Sequence, residues 1–171
     1  MSRGFVKEGD QEEVPMVPPR ADLPPGVTNY VTPEGMHLLL SERESLISQR
    51  EQVDRTLENE RRIAVNLINA KLLLLEQRIS GARVIHPDEQ PQDEVRFGAT
   101  VTLRIEATGK VQDFRIVGVD EADISRGKIS FLSPLAKALT HKKAGDRAVI
   151  GMGRFERSFT IIKIAYQRPV Y

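Results

Sequence analysis

Acids and guanidiniums crowd the middle of a long stretch, residues 36–80, that contains no glycine or proline. Asp54, Glu58 and Glu60 stand close together there, among Arg50, Arg55, Arg61 and Arg62. Two acids one helical turn apart, as Asp54 and Glu58 are, can add oxygen ligands to a hard cation that a partner already holds. Glu60 can substitute for either. The same acids also suit an ordinary solvated tip. The four arginines have two readings as well: charge for anionic groups such as phosphates, or i,i+4 pairing with neighbours such as Glu58 with Arg62.

Other chemistry is sparse. The chain has no cysteine, so neither a disulfide framework nor a zinc–thiolate site can form. His37, His86 and His141 lack ligand spacing, and no metal site is expected from this chain alone. Lys+Arg number 25 against 24 for Asp+Glu, so no bulk field favours duplex DNA, and sequence-specific DNA binding is not expected. Trp is absent and aromatics are few, which argues against an aromatic-lined ligand site. The N-terminus carries no apolar signal segment and no apolar run approaches membrane length. A soluble, cytoplasmic, monomeric protein is the expectation.

A second cluster reads Asp120-Glu121-Ala122-Asp123-Ile124. It offers an acidic rim around an apolar anchor, suited to a basic helical surface on another protein. The alternative is turn formation before Gly127. Ser133-Pro134-Leu135 follows, a helix cap that can also face a partner.

These residues need elements to hold them. Residues 1–29, with Pro15, Pro18, Pro19, Pro24 and Pro25 and no apolar period, read as a flexible extension. Its alternative is a tail that orders on a partner through Phe5, Val14, Met16 and Val17. Thr32-Pro33-Glu34 is a helix start, with Thr32 as N-cap and Pro33 at the first helical position. Leu39, Leu46, Val53 and Leu57 recur at helical spacing, as do Ile63, Leu67, Ala70 and Leu74. Ala64, Ile68, Leu75 and Ile79 form a further stripe. Leu72 to Leu75 reads as buried on several sides. Gly81 is the expected stop. Two leaky stripes bury each other best in an antiparallel helical hairpin over residues 30–85. Its arms are about 23 residues each, roughly 35 Å. Its turn is expected at Leu57 to Asn59, where Asn59 tolerates a left-handed backbone.

Residues 86–91 read as a linker. Beyond them the period changes: Val101, Leu103 and Ile105 alternate, Thr108-Gly109-Lys110 turns, and Val111, Phe114, Ile116 and Val117 return. Ile129, Phe131 and Leu132 make a third strand, and Ser133-Pro134 caps a short helix to Leu139. Ala144-Gly145-Asp146 turns the chain, and Val149-Ile150 with Phe159 to Ile164 close a last hairpin. Residues 92–171 therefore form a small, mostly antiparallel sheet domain with one helix, and the fold class is α+β.

YVTPEG, ARVI, FGATVTL, IVGVDEADI, GKIS, SPLAKAL and KKAGD occur in this order along residues 30–166. On these segments the chain resembles the bacterial Gre transcription factors. That resemblance implies an N-terminal antiparallel coiled coil and an FKBP-like C-terminal domain. It implies docking of that domain at the RNA polymerase secondary channel, through Asp120, Glu121, Asp123, Ile124, Ser133, Pro134 and Leu135. It implies that Asp54, Glu58 or Glu60 at the coiled-coil tip shares a catalytic Mg2+ of the polymerase, which then cleaves backtracked RNA. Arg50, Arg55, Arg61 and Arg62 would contact the nascent RNA. Such a factor has no cofactor of its own and stimulates the polymerase without being an enzyme itself. The sequence departs from the family pattern in two ways. Three residues, not two, separate Asp54 from Glu58-Asn59, and each arm is about seven residues short, roughly 10 Å of reach. A channel-occupying regulator without cleavage activity is the alternative. A prolyl isomerase is a weaker one, because the Phe and Tyr residues of this half are mostly needed for its core.

Overall fold

The computed structural model describes residues 16–53 and 57–167. Strand β1 (Asn29–Val31) leads into helix α1 (Pro33–Glu51), and helix α2 (Glu58–Ser80) leads into strand β2 (Ala82–Val84). Strands β3 (Ala99–Ile105), β4 (Val111–Val117) and β5 (Lys128–Ser130), helix α3 (Pro134–Leu139), and strands β6 (Arg147–Met152) and β7 (Phe155–Tyr166) follow.

Local chemistry sets most boundaries. The Thr32 hydroxyl accepts from the Gly35 amide at 2.9 Å, with Pro33 beside it, so α1 starts where its cap stands. Ser133 does the same for α3, accepting from Ala136 N–H at 3.2 Å. Gly81 ends α2 as expected, but with φ −88°, in the right-handed region and not the left-handed one. Asn59 is not a turn residue: it lies inside α2, and the connection between helices falls at 52–57. Nothing caps α2 with a side chain at Leu57, so no local signal marked its start. The arms are consequently unequal, 19 residues in α1 and 23 in α2.

The two long helices pack along one cluster: Leu39 and Leu46 from α1, Ile68, Leu72 and Leu75 from α2, and Val31 from β1. Arg43 pairs with Glu76 at 3.5 Å and Arg50 with Asn69 at 2.9 Å, so the chain runs in opposite senses in the two helices. The buried face of α2 is the one carrying Ile68, Leu72 and Leu75. Ile63 and Leu57, expected in the seam, are exposed, and Leu67 is only half-buried. Leu73 is exposed too, so the base of α2 is not buried all round. Val53 does pack at the margin of the cluster.

The C-terminal sheet has the order β5-β4-β3-β7-β6, antiparallel except where β4 meets β5. Val101 and Leu103 of β3 share one buried core with Ala136 and Leu139 of α3, Ile116 of β4 and Ile161 of β7. Phe131 and Leu132, expected in the third strand, lie just past it in the turn before α3. Phe155 is exposed beside the β6–β7 turn, so not every aromatic of this half serves the core.

A pairing with no sequence forecast closes the base of the helix pair. β1 and β2 form a parallel two-stranded ribbon, Asn29 opposite Ala82 and Val31 opposite Val84. The ends of the helix pair therefore return to one place, as a parallel pair requires of its crossover. Residues 17–21, expected as part of an unfolded extension, lie against the helices: Val17, Pro19 and Arg20 line a groove with Leu46 and Leu74. The expected linker contains a 3-10 turn, Pro87–Glu89, whose Pro87 is buried.

Candidate functional site

The acidic tip is the far end of the helix pair from the sheet. Glu58 and Glu60 occupy the first turn of α2, where negative charge complements the helix dipole, and both are exposed. Two positions apart on a helix, they project to different sides and do not converge. Asp54 and Arg55 lie outside the described residues. Arg61 and Arg62 are exposed on the next positions of α2. Arg50 is less free: its guanidinium donates to the Asn69 side chain across the two helices.

Among the described residues no group of three His, Cys, Asp or Glu is placed to hold a metal ion. The donor chemistry of Glu58 and Glu60, hard carboxylate oxygen, nevertheless suits Mg2+. The tip can supply a ligand to an ion held mainly by another macromolecule; its described residues do not build a cage for one.

The 120–124 segment is divided between inward and outward positions. The Glu121 side chain is 2% exposed; the Thr32 hydroxyl donates to it, and Lys128 Nζ lies 3.7 Å away. Asp120 is 10% exposed and sits between two guanidiniums, Arg20 at 3.0 Å and Arg78 at 3.8 Å. Asp123 caps a 3-10 turn (Ile124–Arg126), accepting from the Ser125 hydroxyl at 2.6 Å and the Ser125 amide at 3.1 Å. The Ser125 hydroxyl bond is the main reason the Asp123 carboxyl titrates below its ordinary range. Ile124 is strongly presented, 80% exposed. On the neighbouring loop Ser133 is engaged as the α3 cap, Pro134 is exposed, and Leu135 packs at the edge of the sheet core.

YVTPEG and IVGVDEADI turn out to be the two faces of one joint. A Cβ on Gly118 would stand 2.6 Å from the Tyr30 carbonyl oxygen, so glycine alone lets the two backbones approach. A Cβ on Gly35 would stand 2.6 Å from Glu121 Oε1, so glycine in the first turn of α1 opens the path from Glu121 to Thr32. Beside them Glu34 pairs with Arg115 at 3.1 Å, and the Asn29 side chain donates to the Arg78 carbonyl at 3.1 Å. Arg20, Asn29, Gly35, Arg78 and Arg115 were not singled out from sequence. Only Gly35 carried a signal, since a glycine near a helix start costs roughly 1 kcal/mol against alanine unless it makes room for something.

The joint is polar and incompletely satisfied. Asn29 Oδ1, Arg78 Nη1, Arg115 Nε, Asp120 Oδ2 and Glu121 Oε2 are buried without a hydrogen-bond partner. Its apolar part is a cluster of rings: Tyr30 of β1 lies 6.0 Å from Phe97 and 5.6 Å from Phe131 of the sheet half, centroid to centroid.

Residues 90–166 match the family model described as "Transcription elongation factor, GreA/GreB, C-term". A "Transcription elongation factor GreA" of Nitratidesulfovibrio vulgaris is 31% identical over 151 residues, covering 80% of this chain and 94% of its own length. One from Hyphomonas neptunium is 38% identical over 102 residues, covering 60% of this chain but only 65% of its own. A solved structure, "Prokaryotic transcription elongation factor GreA/GreB from Nitrosomonas europaea", is 23% identical with a TM-score of 0.40, covering 80% of this chain and 98% of that one.

Proposed function

Since the chain belongs to the GreA/GreB family of transcription elongation factors, we propose that it binds RNA polymerase at the secondary channel and promotes cleavage of backtracked RNA. In this reading the sheet half is an FKBP-like docking domain, and α1 with α2 is an antiparallel coiled-coil hairpin that enters the channel. One observation carries it: the β1–β2 ribbon closes the base of the helix pair, and Thr32 and Glu34 at the start of α1 hold that base to Glu121 and Arg115 of the sheet half, with Glu58 and Glu60 at the distal end.

Mg2+ held by the polymerase supplies a Lewis acid and an activated water. What this chain adds is position. Glu58, with Asp54 and Glu60 beside it in sequence, offers carboxylate oxygens to that ion. Arg61 and Arg62, with Arg50 and Arg55 behind them, offer charge to the RNA phosphates. Docking falls to the outward residues Ile124, Asp123 and Pro134, with Leu135 at their edge and Ser133 behind them. Asp120 and Glu121 shape the loop from within. The chain acts as a monomer in the cytoplasm, on an enzyme that is not itself.

A channel-occupying regulator that does not stimulate cleavage is the second reading, favoured by the length of α1, 19 residues or about 28 Å. The test is 3′ RNA shortening in stalled, backtracked complexes with the cognate polymerase at several Mg2+ concentrations. Glu58→Gln and Asp54→Asn should abolish shortening and leave binding intact. Tight binding by the wild type with no shortening at any Mg2+ concentration would leave the occupying regulator as the function.

A further inference from the structure

We infer that residues 17–21 form a strap that sets the angle between the helix pair and the sheet, with Arg20 as its positioning residue. Arg20 reaches both halves at once. Its Nη1 and Nη2 donate to the two carboxylate oxygens of Glu42 on α1, at 2.8 and 3.0 Å. Its Nε donates to Asp120 on the sheet side at 3.0 Å. The Arg20 side chain is only 19% exposed.

The strap is seated by more than this one residue. Val17 and Pro19 line a groove with Leu46 and Leu74 of the helices and Val119 of the sheet half. Arg78 of α2 donates to the Ala21 carbonyl and faces Asp120. Pro18 and Pro19 restrict the unfolded strap, which lowers the entropy lost on seating it.

Arg20 matters because of what Asp120 would become without it. Asp120 Oδ2 already lacks a hydrogen-bond partner, and Arg78 stands 3.8 Å from it. Removing Arg20 takes the bond from Oδ1 as well and leaves a nearly buried carboxylate poorly compensated. The 119–122 loop then gains by turning toward water, and the helix base loses its tie through Glu42. The helix pair is a lever. A tilt of about 10° at the base moves the end of a roughly 28 Å arm by about 5 Å. Placement errors of about 1 Å can cost roughly a hundredfold in a metal-assisted reaction.

The experiment has two arms. The chain lacks cysteine, so Ser48→Cys on α1 and Ala107→Cys between β3 and β4 give a clean spin-label pair in the full-length protein. Wild type should give one narrow distance distribution. Arg20→Gln should broaden or displace it by several Å, and Arg20→Lys, which keeps charge but not the fork, should fall between. Circular dichroism checks that helix and sheet signals persist. A distribution unchanged in Arg20→Gln overturns the strap. The other arm rests on the polymerase reading above: Arg20→Gln should keep its polymerase Kd within about twofold and slow RNA shortening at least tenfold. Equal rates despite an altered distribution overturn Arg20 as a positioning residue. If wild type shortens no RNA, the cleavage reading has failed, and the label distances alone decide the strap.

Discussion

Thr32 and Glu121 stand 89 positions apart, and the hydroxyl of one donates to the carboxylate of the other inside the joint. The same hydroxyl accepts from the Gly35 amide. One oxygen thus caps a helix and fastens that helix to the sheet half. Gly35→Ala tests this economy. In an ordinary helix the change stabilises by roughly 1 kcal/mol. Here the added methyl displaces Glu121, and losing a charged hydrogen bond costs about 1.5–3 kcal/mol. Urea denaturation should show a net loss of about 1 kcal/mol. Gly118→Ala should cost more, because it meets the Tyr30 carbonyl, which is backbone and cannot swing aside. A stabilised Gly35→Ala would mean that Glu121 is not held.

Glu34 gives the joint a pH dependence. Burial, the largest influence, raises its carboxyl. The bond from its own backbone N–H and the Arg115 guanidinium outweigh it, and the net position is below the ordinary 4.5. A carboxyl depressed in the folded state contributes stability above its ordinary value and loses it as pH falls through the depressed one. The gap between wild type and Glu34→Gln should therefore be flat above pH 4.5 and close below it. Glu34 is 40% exposed, so solvent screening keeps the gap under about 1 kcal/mol. Thermal melts at a series of pH values, in parallel for both proteins, would reveal it; a gap that widens in acid contradicts the sign.

The helix pair should respond unequally to leucine truncation. Leu75 is fully buried, Leu73 is 63% exposed, and they are two positions apart. Leu75→Ala should lose about 2–5 kcal/mol, and Leu73→Ala less than about 0.5 kcal/mol. Equal losses would place the wrong face of α2 against α1.

Docking has a cleaner probe than the acids that suggested it. Ile124→Asp changes a side chain 80% exposed. It should leave the thermal midpoint within a degree or two and weaken polymerase binding about tenfold or more, as loss of an apolar anchor does. Asp120→Lys places a cation between Arg20 and Arg78, and should lower the midpoint by several degrees before binding is considered. Unchanged affinity in Ile124→Asp would move the docking surface elsewhere.

Features held by neighbouring residues were legible in the sequence. The caps at Thr32 and Ser133 need only three following positions, and the buried alternation of Val101 and Leu103 needs only its own strand. The α2 start was not legible, because Leu57 caps nothing and Glu58-Asn59 suits a turn as well as a first helical turn. The buried face of α2 is chosen by what it meets at its base, which periodicity alone does not name. Asp120 and Glu121 read as a rim because nothing nearby in sequence announces Arg20, Thr32 or Arg78. The β1–β2 ribbon, three residues per strand, has no alternation long enough to register.

That ribbon makes the length of the helix pair an independent variable. Matched additions on the tip side of Leu46 in α1 and Leu72 in α2 leave the ribbon's register and the contacts of the joint untouched. A heptad inserted in each helix keeps the packing phase and extends the tip by about 10 Å. The chain is thus built like a gauge with a fixed mount and an interchangeable probe, and its depth can be reset by evolution or by design without refitting the mount.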